Sequence, residues 1–374
     1  MGPTGRALRQ QARAILLLLA GVVLVGASIA HAAEEPLLNV YNWSDYIDPD
    51  LIEEFEREFG IKVNYDIYDS SEIVDTKLLT GRSGYDVVVH STSFSQRLIP
   101  IGVYQRVDYA RLKNWHHMDP ELLARIRGHF GDDLAGVPYM WGTTGFAYNR
   151  AMVLERMPDA PLDSAAMLFD PAIVSRFADC GVSLLDDPTS VIPLAMLYLG
   201  YPANSVEPAH LEKVEQLLKS VRPYIKYFSS TKMLLDLPSK EVCIAMAWSG
   251  DYAVASSRAE EAGIDIDLGY TIPREGAIDW YDNMYIPADA PHPENAYLFL
   301  DFMLRPEVIA RASNYIGYAN ANRSATALVD PAITGDPAIY PDPVTMERLE
   351  PSVILSPKLE RRRSRAWTKI KTGL

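Results

Sequence analysis

Short apolar strands alternate with amphipathic helices between residues 38 and 89, and this alternation most constrains the fold. Leu38–Tyr41 predicts a strand, and Asp48-Pro49 predicts a helix start, because Asp caps free N–H groups and Pro fits the first helical position. Apolar residues recur with helical period as far as Gly60, and Ile61–Tyr68 then alternates like a strand. Tyr85–Val89 is dominated by valine, as in a buried parallel sheet. This order predicts an α/β fold.

The length of 374 residues predicts two domains rather than one core. A hydrophobic share of 48% and a charged share of 22% indicate a globular protein. A second α/β pattern supports the division, with a strand at Val182–Leu185, a helix at Val191–Leu199 and another strand at Val242–Ala247. We therefore expect two α/β domains along the chain.

The amino terminus has the pattern of a secretory signal. Three arginines precede an apolar run from Ala14 to about Ala30, and Ala30-His31-Ala32 precedes Ala33. An uncleaved membrane anchor is the alternative, but the small residues before Ala33 favour cleavage. We predict that residues 1–32 are removed and that the mature chain is exported.

The formal net charge of −14 makes nucleic acid a poor partner, because its phosphates would be repelled. Acidic clefts attract small cations instead, although acidity also serves solubility. The arginines of the carboxyl-terminal segment are predicted to form the exposed face of a helix. They are Arg361, Arg362, Arg363 and Arg365.

Cys180 and Cys243 are the two cysteines of the chain. They form either one disulfide or two buried thiols, and their spacing fits no metal motif. Each lies at or just before a strand of the same proposed domain, and export leads to an oxidising compartment. We predict a disulfide between them.

Aromatic and acidic side chains follow several predicted strands. Trp43–Tyr46 and Trp248–Tyr252 each combine Trp, Ser, Asp and Tyr, and Trp280–Asp282 is a third cluster. His90–Ser93 is rich in hydroxyl groups. Ligands bind at the carboxyl edge of open α/β sheets, although packing or helix capping also explains any one cluster. Three clusters together favour a binding site.

Sequence signatures of common enzymes are missing: the chain has no Gly-x-Ser-x-Gly, Walker A, dinucleotide-binding or His-Glu-x-x-His motif. Two carboxylates suffice for glycosidase chemistry, so a secreted carbohydrate-active enzyme is the alternative. Carboxylates interleaved with aromatic rings also suit an alkyl ammonium ion. The clusters alone do not decide between a polyamine and an oligosaccharide.

Five segments, in order along nearly the whole chain after the signal, resemble the periplasmic spermidine/putrescine-binding proteins of ABC transporters. These segments are Tyr41–Ile47, Pro138–Trp141, Trp248–Asp251, Tyr318–Asn322 and Arg365–Lys369. The resemblance implies a two-lobed type II solute-binding fold, with residues 33–139 and 272–308 in lobe 1 and residues 140–271 and 309–374 in lobe 2. The ligand would lie in the cleft between the lobes, which close by a hinge.

The resemblance also implies the site, residue by residue. An aromatic box would hold the methylene chain, hydroxyl and carboxylate groups would hold the ammonium groups, and Asp187 would be a further acid that only part of the family has. The box is Trp43, Tyr46, Trp248, Trp280 and Tyr318, and the polar set is Ser44, Asp45, Ser91, Asp251 and Asp282.

The same resemblance implies the function. The protein would be a monomeric, non-enzymatic receptor without a cofactor in the Gram-negative periplasm. It would deliver a polyamine to an inner-membrane ABC permease. A polyamine sensor is the alternative within the binding class. The chain has Ser190 where many members have a glutamate. We weigh Trp280 and Asp187 above that loss and predict that spermidine binds more tightly than putrescine.

Overall fold

The computed structural model describes residues 34–373. The predicted signal peptide, residues 1–32, and its cleavage site before Ala33 lie outside the described residues. The described residues from Leu37 onward form one compact unit. Within the described range, no helix combines the length and the apolar character needed to cross a bilayer.

One mixed sheet contains every strand found in residues 34–373. The strands are β1 Leu37–Trp43, β2 Lys62–Tyr68, β3 Val87–Ser91, β4 Val137–Asn149, β5 Val182–Leu184, β6 Ile225–Phe228, β7 Ile244–Trp248, β8 Leu268–Thr271, β9 Ala277–Tyr285, β10 Ala319–Asn320 and β11 Leu349–Pro351. The main order is β2-β1-β3-β9-β4-β7-β5-β6, while β8 and β10 pair with β4 and β11 pairs with β9.

Two parallel groups of strands make up this sheet. Strand β1 pairs in parallel with β2 and β3, and β5 pairs in parallel with β6 and β7. Strands β9 and β4 run antiparallel to each other and to the flanking β3 and β7, so they join the two groups. The α/β alternation read from the sequence is therefore present in both halves.

Helices connect the strands. They are α1 Pro49–Phe59, α2 Ser71–Leu79, α3 Thr92–Leu98, α4 Pro120–Phe130, α5 Arg150–Arg156, α6 Ala166–Phe169, α7 Pro171–Val174, α8 Pro188–Tyr198, α9 Pro208–Val221, α10 Met233–Asp236, α11 Ser249–Glu261, α12 Pro293–Met303, α13 Pro306–Ile316, α14 Pro331–Thr334, α15 Pro343–Met346 and α16 Pro357–Thr372. Short 3-10 turns occur at Tyr109–Arg111, Trp115–His117, Ser175–Phe177, Arg222–Tyr224 and Arg323–Leu328.

Helix α1 has the ends that its sequence predicts. Oδ1 of Asp48 accepts the N–H of Asp50 at 3.0 Å, and Pro49 occupies the first turn. Gly60 ends the helix with a φ of +67°, in the left-handed region that glycine adopts without steric cost. This helix fixes the direction of the loop between β1 and α1.

Two main hydrophobic cores lie along the sheet. Leu38 and Leu300 belong to the first, and Val182 and Ile244 belong to the second. Strand β4 contributes to both, because Tyr139 packs in the first core and Phe146 in the second. All thirteen residues of β4 are buried, so this strand is a shared wall of the two cores.

The segment of residues 308–339 packs in the first core, where Val308, Ile316 and Ile339 are buried. The lobe boundaries that the resemblance implies stay a prediction. The packing of this segment in the first core bears on the part of that prediction that assigns residues 309–339 to lobe 2.

Arg363 departs from the interpretation of the carboxyl-terminal arginines as an exposed face. It is only 4% exposed, whereas Arg361 and Arg365 on the same helix α16 are exposed. The sequence interpretation was wrong for Arg363, because its position on the helix turns it toward the protein interior.

Cys180 and Cys243 are disulfide-bonded, with their Cα atoms 5.5 Å apart and a separation of 63 positions in sequence. They precede β5 and β7, which are parallel neighbours in the sheet. The predicted disulfide is therefore confirmed, and it lies at the amino ends of two strands whose carboxyl ends lead toward Asp187 and Trp248.

Candidate ligand-binding site

The structure brings all eleven predicted site residues to one cavity of about 220 Å³. They come from the ends of β1, β3 and β7, the start of α8 and α11, the middle of β9, and the turn before β10. The residues are Trp43, Ser44, Asp45, Tyr46, Ser91, Asp187, Trp248, Asp251, Trp280, Asp282 and Tyr318.

Asp251 lies in the first turn of α11 and is partly open to the cavity. The hydroxyl of Tyr318 donates a hydrogen bond of 2.7 Å to its Oδ1. Desolvation by the surrounding walls raises the pKa of Asp251 to about 7, and the Tyr318 hydroxyl and the charge of Arg258 oppose this rise. This carboxyl group is therefore poised to accept a cation near neutral pH.

Asp282 is the second carboxyl group of this kind. It lies on β9, opposite Ser91 of β3, and is only 6% exposed. Burial raises the pKa of Asp282 to about 7, and the hydroxyl of Tyr46 opposes the rise. The described residues provide no basic side chain within ion-pair distance of Asp282, so its negative charge has no internal counterion.

Aromatic rings connect the two acids. The ring centroid of Tyr318 lies 5.5 Å from that of Tyr46 and 5.3 Å from that of Trp280, both in edge-on arrangements. Because Tyr46 faces Asp282 and Tyr318 contacts Asp251, the rings form a wall between the two carboxylates. Such a wall covers methylene groups and offers ring faces to cations.

Gly250 is required by close packing rather than by a bend in the backbone. A Cβ atom at this position would lie 2.2 Å from Cδ2 of Tyr318. Gly250 lies within helix α11 and its φ is not positive, so no bend in the backbone requires a glycine here. Glycine is needed here because the Tyr318 ring rests on the helix backbone.

Asp45 already has a partner. Its backbone has a φ of +53°, and its side chain is 75% exposed. Nη2 of Arg258, which lies on the same face of α11 as Asp251 because the two are seven positions apart, is 3.7 Å from Oδ2 of Asp45. Asp45 thus forms an ion pair at the edge of the cavity.

Asp187 caps helix α8. Its Oδ1 accepts the N–H of Thr189 at 2.8 Å and the hydroxyl of Thr189 at 2.6 Å, and its Oδ2 accepts the hydroxyl of Ser190 at 2.6 Å. The oxygen of Ser190 is also 3.4 Å from Nε1 of Trp248. Most of the acceptor capacity of Asp187 is therefore used within the protein.

The serines of the site differ in their partners. Ser91 precedes helix α3, but its side chain makes no capping bond and lies 2.9 Å, oxygen to oxygen, from Ser93. The alternative of helix capping is therefore wrong for Ser91. Ser44 donates to the carbonyl of Tyr68 at 3.4 Å. Both hydroxyl oxygens remain able to accept from a ligand.

Sequence reasoning left several cavity residues out. Tyr68 ends β2 and Asp69 follows it, so the same rule that found Trp43 at a strand end could have found them. The loop around Ser230 carries no comparable signal, because it belongs to no recognisable motif. The polar residues missed are Tyr68, Asp69, Ser71, Thr144, Thr189, Ser230, Thr231 and Ser352.

No group of three or more His, Cys, Asp or Glu side chains among residues 34–373 is arranged to hold a metal ion. The cavity is instead lined by carboxylates, hydroxyls and rings. This donor set suits an organic cation with an apolar chain.

The family model for bacterial extracellular solute-binding proteins matches residues 50–341, and the chain belongs to that family. Among its relatives, the putrescine-binding periplasmic protein SpuD of Pseudomonas aeruginosa is 43% identical over 360 residues, covering 96% of this chain and 97% of the relative. The putrescine-binding periplasmic protein PotF of Escherichia coli is 41% identical over 358 residues, covering 95% and 97%.

Solved structures give the same result for the fold. A putative spermidine/putrescine ABC transporter protein from Listeria monocytogenes has a TM-score of 0.80 at 32% identity, covering 90% of this chain and 99% of that chain. The spermidine/putrescine substrate-binding protein PotD from Streptococcus pneumoniae has a TM-score of 0.75 at 29% identity, with the same coverage. The predicted type II solute-binding fold is confirmed, and family membership confirms a binding protein rather than an enzyme.

Proposed function

We propose that this protein captures a polyamine in the periplasm and delivers it to an inner-membrane ABC permease. The observation that carries the proposal is the pair Asp251 and Asp282, two carboxyl groups with raised pKa at either end of an aromatic wall. At each end, an ammonium group of the ligand would donate charge-assisted hydrogen bonds to the carboxylate. The names of SpuD, PotF and PotD support the same ligand class.

The aromatic wall accounts for the chain between the ammonium groups. Each ring face attracts a cation by ~0.5–2 kcal/mol. Burial of each methylene group adds about 0.8 kcal/mol. A neutral oligosaccharide would gain neither the ionic contacts nor the burial of a continuous methylene chain, and it would leave the two acids desolvated without a cation from the ligand.

Ligand length is the finer part of the proposal. The sequence predicts spermidine over putrescine because Asp187 and Trp280 extend the site. The contacts of Asp187 with Thr189 and Ser190, and of Asp45 with Arg258, argue for the shorter ligand, since they occupy two of the predicted carboxylates and leave Asp251 and Asp282 as the pair for a dication. We therefore propose that putrescine binds at least as tightly as spermidine.

Hinge closure belongs to the same proposal. The two hydrophobic cores would move as lobes joined through β4 and β9, with residues 308–339 following the first core. A ligand bound between Asp282 and Asp251 would then hold the lobes together, and the permease would recognise the closed form.

Calorimetry on ligand-stripped protein tests the proposal with putrescine, spermidine and a neutral oligosaccharide. Binding of the two amines and none of the sugar is the expected result. Asp251→Asn keeps the shape and removes the charge, so it should weaken both amines by about 2–5 kcal/mol. Unchanged amine affinity in folded Asp251→Asn would reject the assignment of this residue, and binding of the sugar alone would reject the function.

Delivery of the polyamine to the permease and the periplasmic location of the protein are tested with cells. Mass spectrometry of the exported protein should give a chain that begins at Ala33. Loss of polyamine uptake in a deletion strain, restored by the wild-type gene, is expected of a transport receptor. Normal uptake combined with a lost transcriptional response to polyamine would instead identify a sensor.

A further inference from the structure

Strand β9 passes from one hydrophobic core to the other along its length. Its first residue, Ala277, is buried in the second core, and Tyr281 is buried in the first. Asp279 lies between them and is fully buried. Because successive side chains of a strand point to opposite faces, Asp279 and Tyr281 face away from the cavity that Trp280 lines. The strand therefore carries a buried acid at the point where it crosses between the cores, next to a residue of the site.

Arg125 of helix α4 supplies the cation for this buried acid. Its Nε and Nη2 lie 2.8 Å and 2.6 Å from Oδ2 of Asp279. The hydroxyl of Tyr281 donates to the same oxygen at 2.6 Å and accepts from Nε of Arg125 at 3.0 Å. Nε2 of His129 is 3.7 Å from that oxygen, beyond hydrogen-bond distance. The guanidinium of Arg125 thus makes the direct ionic contact with Asp279.

Arg125 also contacts strand β11. Its Nη2 donates to the carbonyl of Leu349 at 3.0 Å, and Leu349 lies opposite Ala277 in the parallel pair of β11 and β9. Leu349 is buried in the second core, whereas Leu122 and Ile126, on the same helix as Arg125, are buried in the first. One side chain from a helix of the first core therefore holds two strands at the place where they leave the second core.

The ring of Trp280 takes its position from the same part of β9. Trp280 lies opposite Gly142 of β4, and a Cβ atom at Gly142 would lie 2.6 Å from Cζ2 of the ring. The ring therefore rests on the backbone of β4, at a place that the position of β9 determines. Its centroid is 5.3 Å from that of Tyr318, so a shift of β9 would displace part of the aromatic wall.

We infer that Arg125 is a positioning residue for ligand binding, which through Asp279 fixes β9 between the two cores and so holds the Trp280 ring in the cavity wall. The inference rests on the proposed polyamine function. Its physical basis is that a buried carboxylate without its cation is strongly unfavourable, so Asp279 and the strand that carries it must move when the pair is broken. The affinity of the site then depends on a residue that does not line the cavity.

The first test replaces Arg125 by an uncharged residue of similar length. Arg125→Met should weaken putrescine binding at least fivefold in calorimetry, because the Trp280 ring loses its fixed position while the carboxylates of the cavity stay in place. Arg127→Met is the matched control, because Arg127 is exposed on the same helix. The control should change the affinity less than twofold. Folded Arg125→Met that binds putrescine as tightly as the control would overturn the inference.

The second test separates positioning of the ring from a loss of stability. In a Trp280→Ala background no ring remains to be positioned, so Arg125→Met should there change putrescine affinity less than twofold. Trp280→Ala keeps Asp251 and Asp282, and its weaker binding is measured at higher protein and putrescine concentrations. A merely structural role would lower the melting temperature in both backgrounds and spare the affinity of the folded protein. Equal losses of affinity in both backgrounds would also overturn the inference.

A third variant covers the case in which Arg125→Met does not fold. Arg125→Met with Asp279→Asn removes both charges, so no unpaired carboxylate is left buried, yet the contacts that hold β9 to α4 are lost. This double variant should fold and should show the same loss of at least fivefold in putrescine affinity. Wild-type affinity in the double variant would overturn the inference.

These outcomes separate the inference from the proposed function. If the wild type bound neither putrescine nor spermidine, the proposed function would be wrong. If the wild type bound putrescine and neither Arg125→Met nor the double variant weakened that binding, the function would stand and the inference would fall.

Discussion

The hydroxyl of Tyr318 donates a 2.7 Å hydrogen bond to Oδ1 of Asp251, while its ring rests on the backbone of Gly250. One aromatic side chain thus orients the carboxylate and fills the space beside it. This relationship between a loop residue and the first turn of α11 determines how Asp251 is presented to the cavity.

Tyr318→Phe is expected to weaken putrescine binding about tenfold at neutral pH. The ring remains, but the bond that favours the ionised carboxylate is lost, and hydrogen bonds to charged groups contribute about 1.5–3 kcal/mol. Calorimetry measures the change. Tyr315→Phe is the matched control, because that tyrosine is 57% exposed and is not one of the residues that line the cavity. Equal affinities of wild type and Tyr318→Phe would contradict the prediction.

Gly250→Ala is expected to displace the Tyr318 ring and to reduce putrescine affinity more than tenfold. The added Cβ would lie 2.2 to 2.3 Å from three ring atoms, so the ring must move and its bond to Asp251 must break. Gly128→Ala is the control: it lies in helix α4 with nothing within 4 Å of the new Cβ, and it should leave binding alone. If Gly250→Ala bound putrescine like the wild type, the assigned packing role would be wrong.

Putrescine affinity is expected to fall as the pH is lowered from about 8 to 6. Burial raises the pKa of Asp251 and Asp282 to about 7 in the ligand-free protein, so lower pH protonates them and removes the charges that a dication needs. Binding at pH 7 should release protons, which calorimetry in buffers of different ionisation enthalpy detects. Putrescine binding to Asp282→Asn should release fewer protons. Affinity that stays constant over this range, without proton release, would refute the prediction.

Removal of the disulfide is expected to lower stability and to spare binding. Cys180→Ala with Cys243→Ala should lower the free energy of unfolding by about 2–4 kcal/mol, because the bridge restricts the unfolded chain. Putrescine affinity should not change, since the bridge lies at the amino ends of β5 and β7, away from the cavity. Chemical denaturation and calorimetry provide the two measurements. Two reactive thiols in unfolded, non-reduced wild type would disprove the bridge.

Much of the cavity could be predicted from the sequence, because its residues follow a simple rule. Trp43, Ser91 and Trp248 each end a strand, and the carboxyl ends of parallel strands converge at one edge of a sheet. The resemblance then added Tyr318, which has no strand of its own to identify it. For Trp43, Ser91 and Trp248, the residue type and the position at the end of a strand were sufficient to predict that the side chain lines the cavity.

Partners of the acids could not be predicted in the same way. Asp45 meets Arg258, and Asp251 meets Tyr318, only because segments far apart in sequence are brought together by packing. The burial of Arg363 could not be predicted either, because the neighbouring arginines have identical side chains and the sequence alone does not show which of them faces the protein interior. Composition shows which charges exist, and tertiary contacts decide which of them are available to a ligand.

Strand β4, Val137–Asn149, has neighbours on both sides along much of its length and belongs to both cores. Its amide protons can therefore reach solvent only when both cores open, which makes their exchange with deuterium a measure of global unfolding. Peptides that cover β4 should keep their protons in D₂O long after those of α1 or α16 have exchanged. Polyamine should slow exchange in β4 further, by the same free energy with which it stabilises the whole chain.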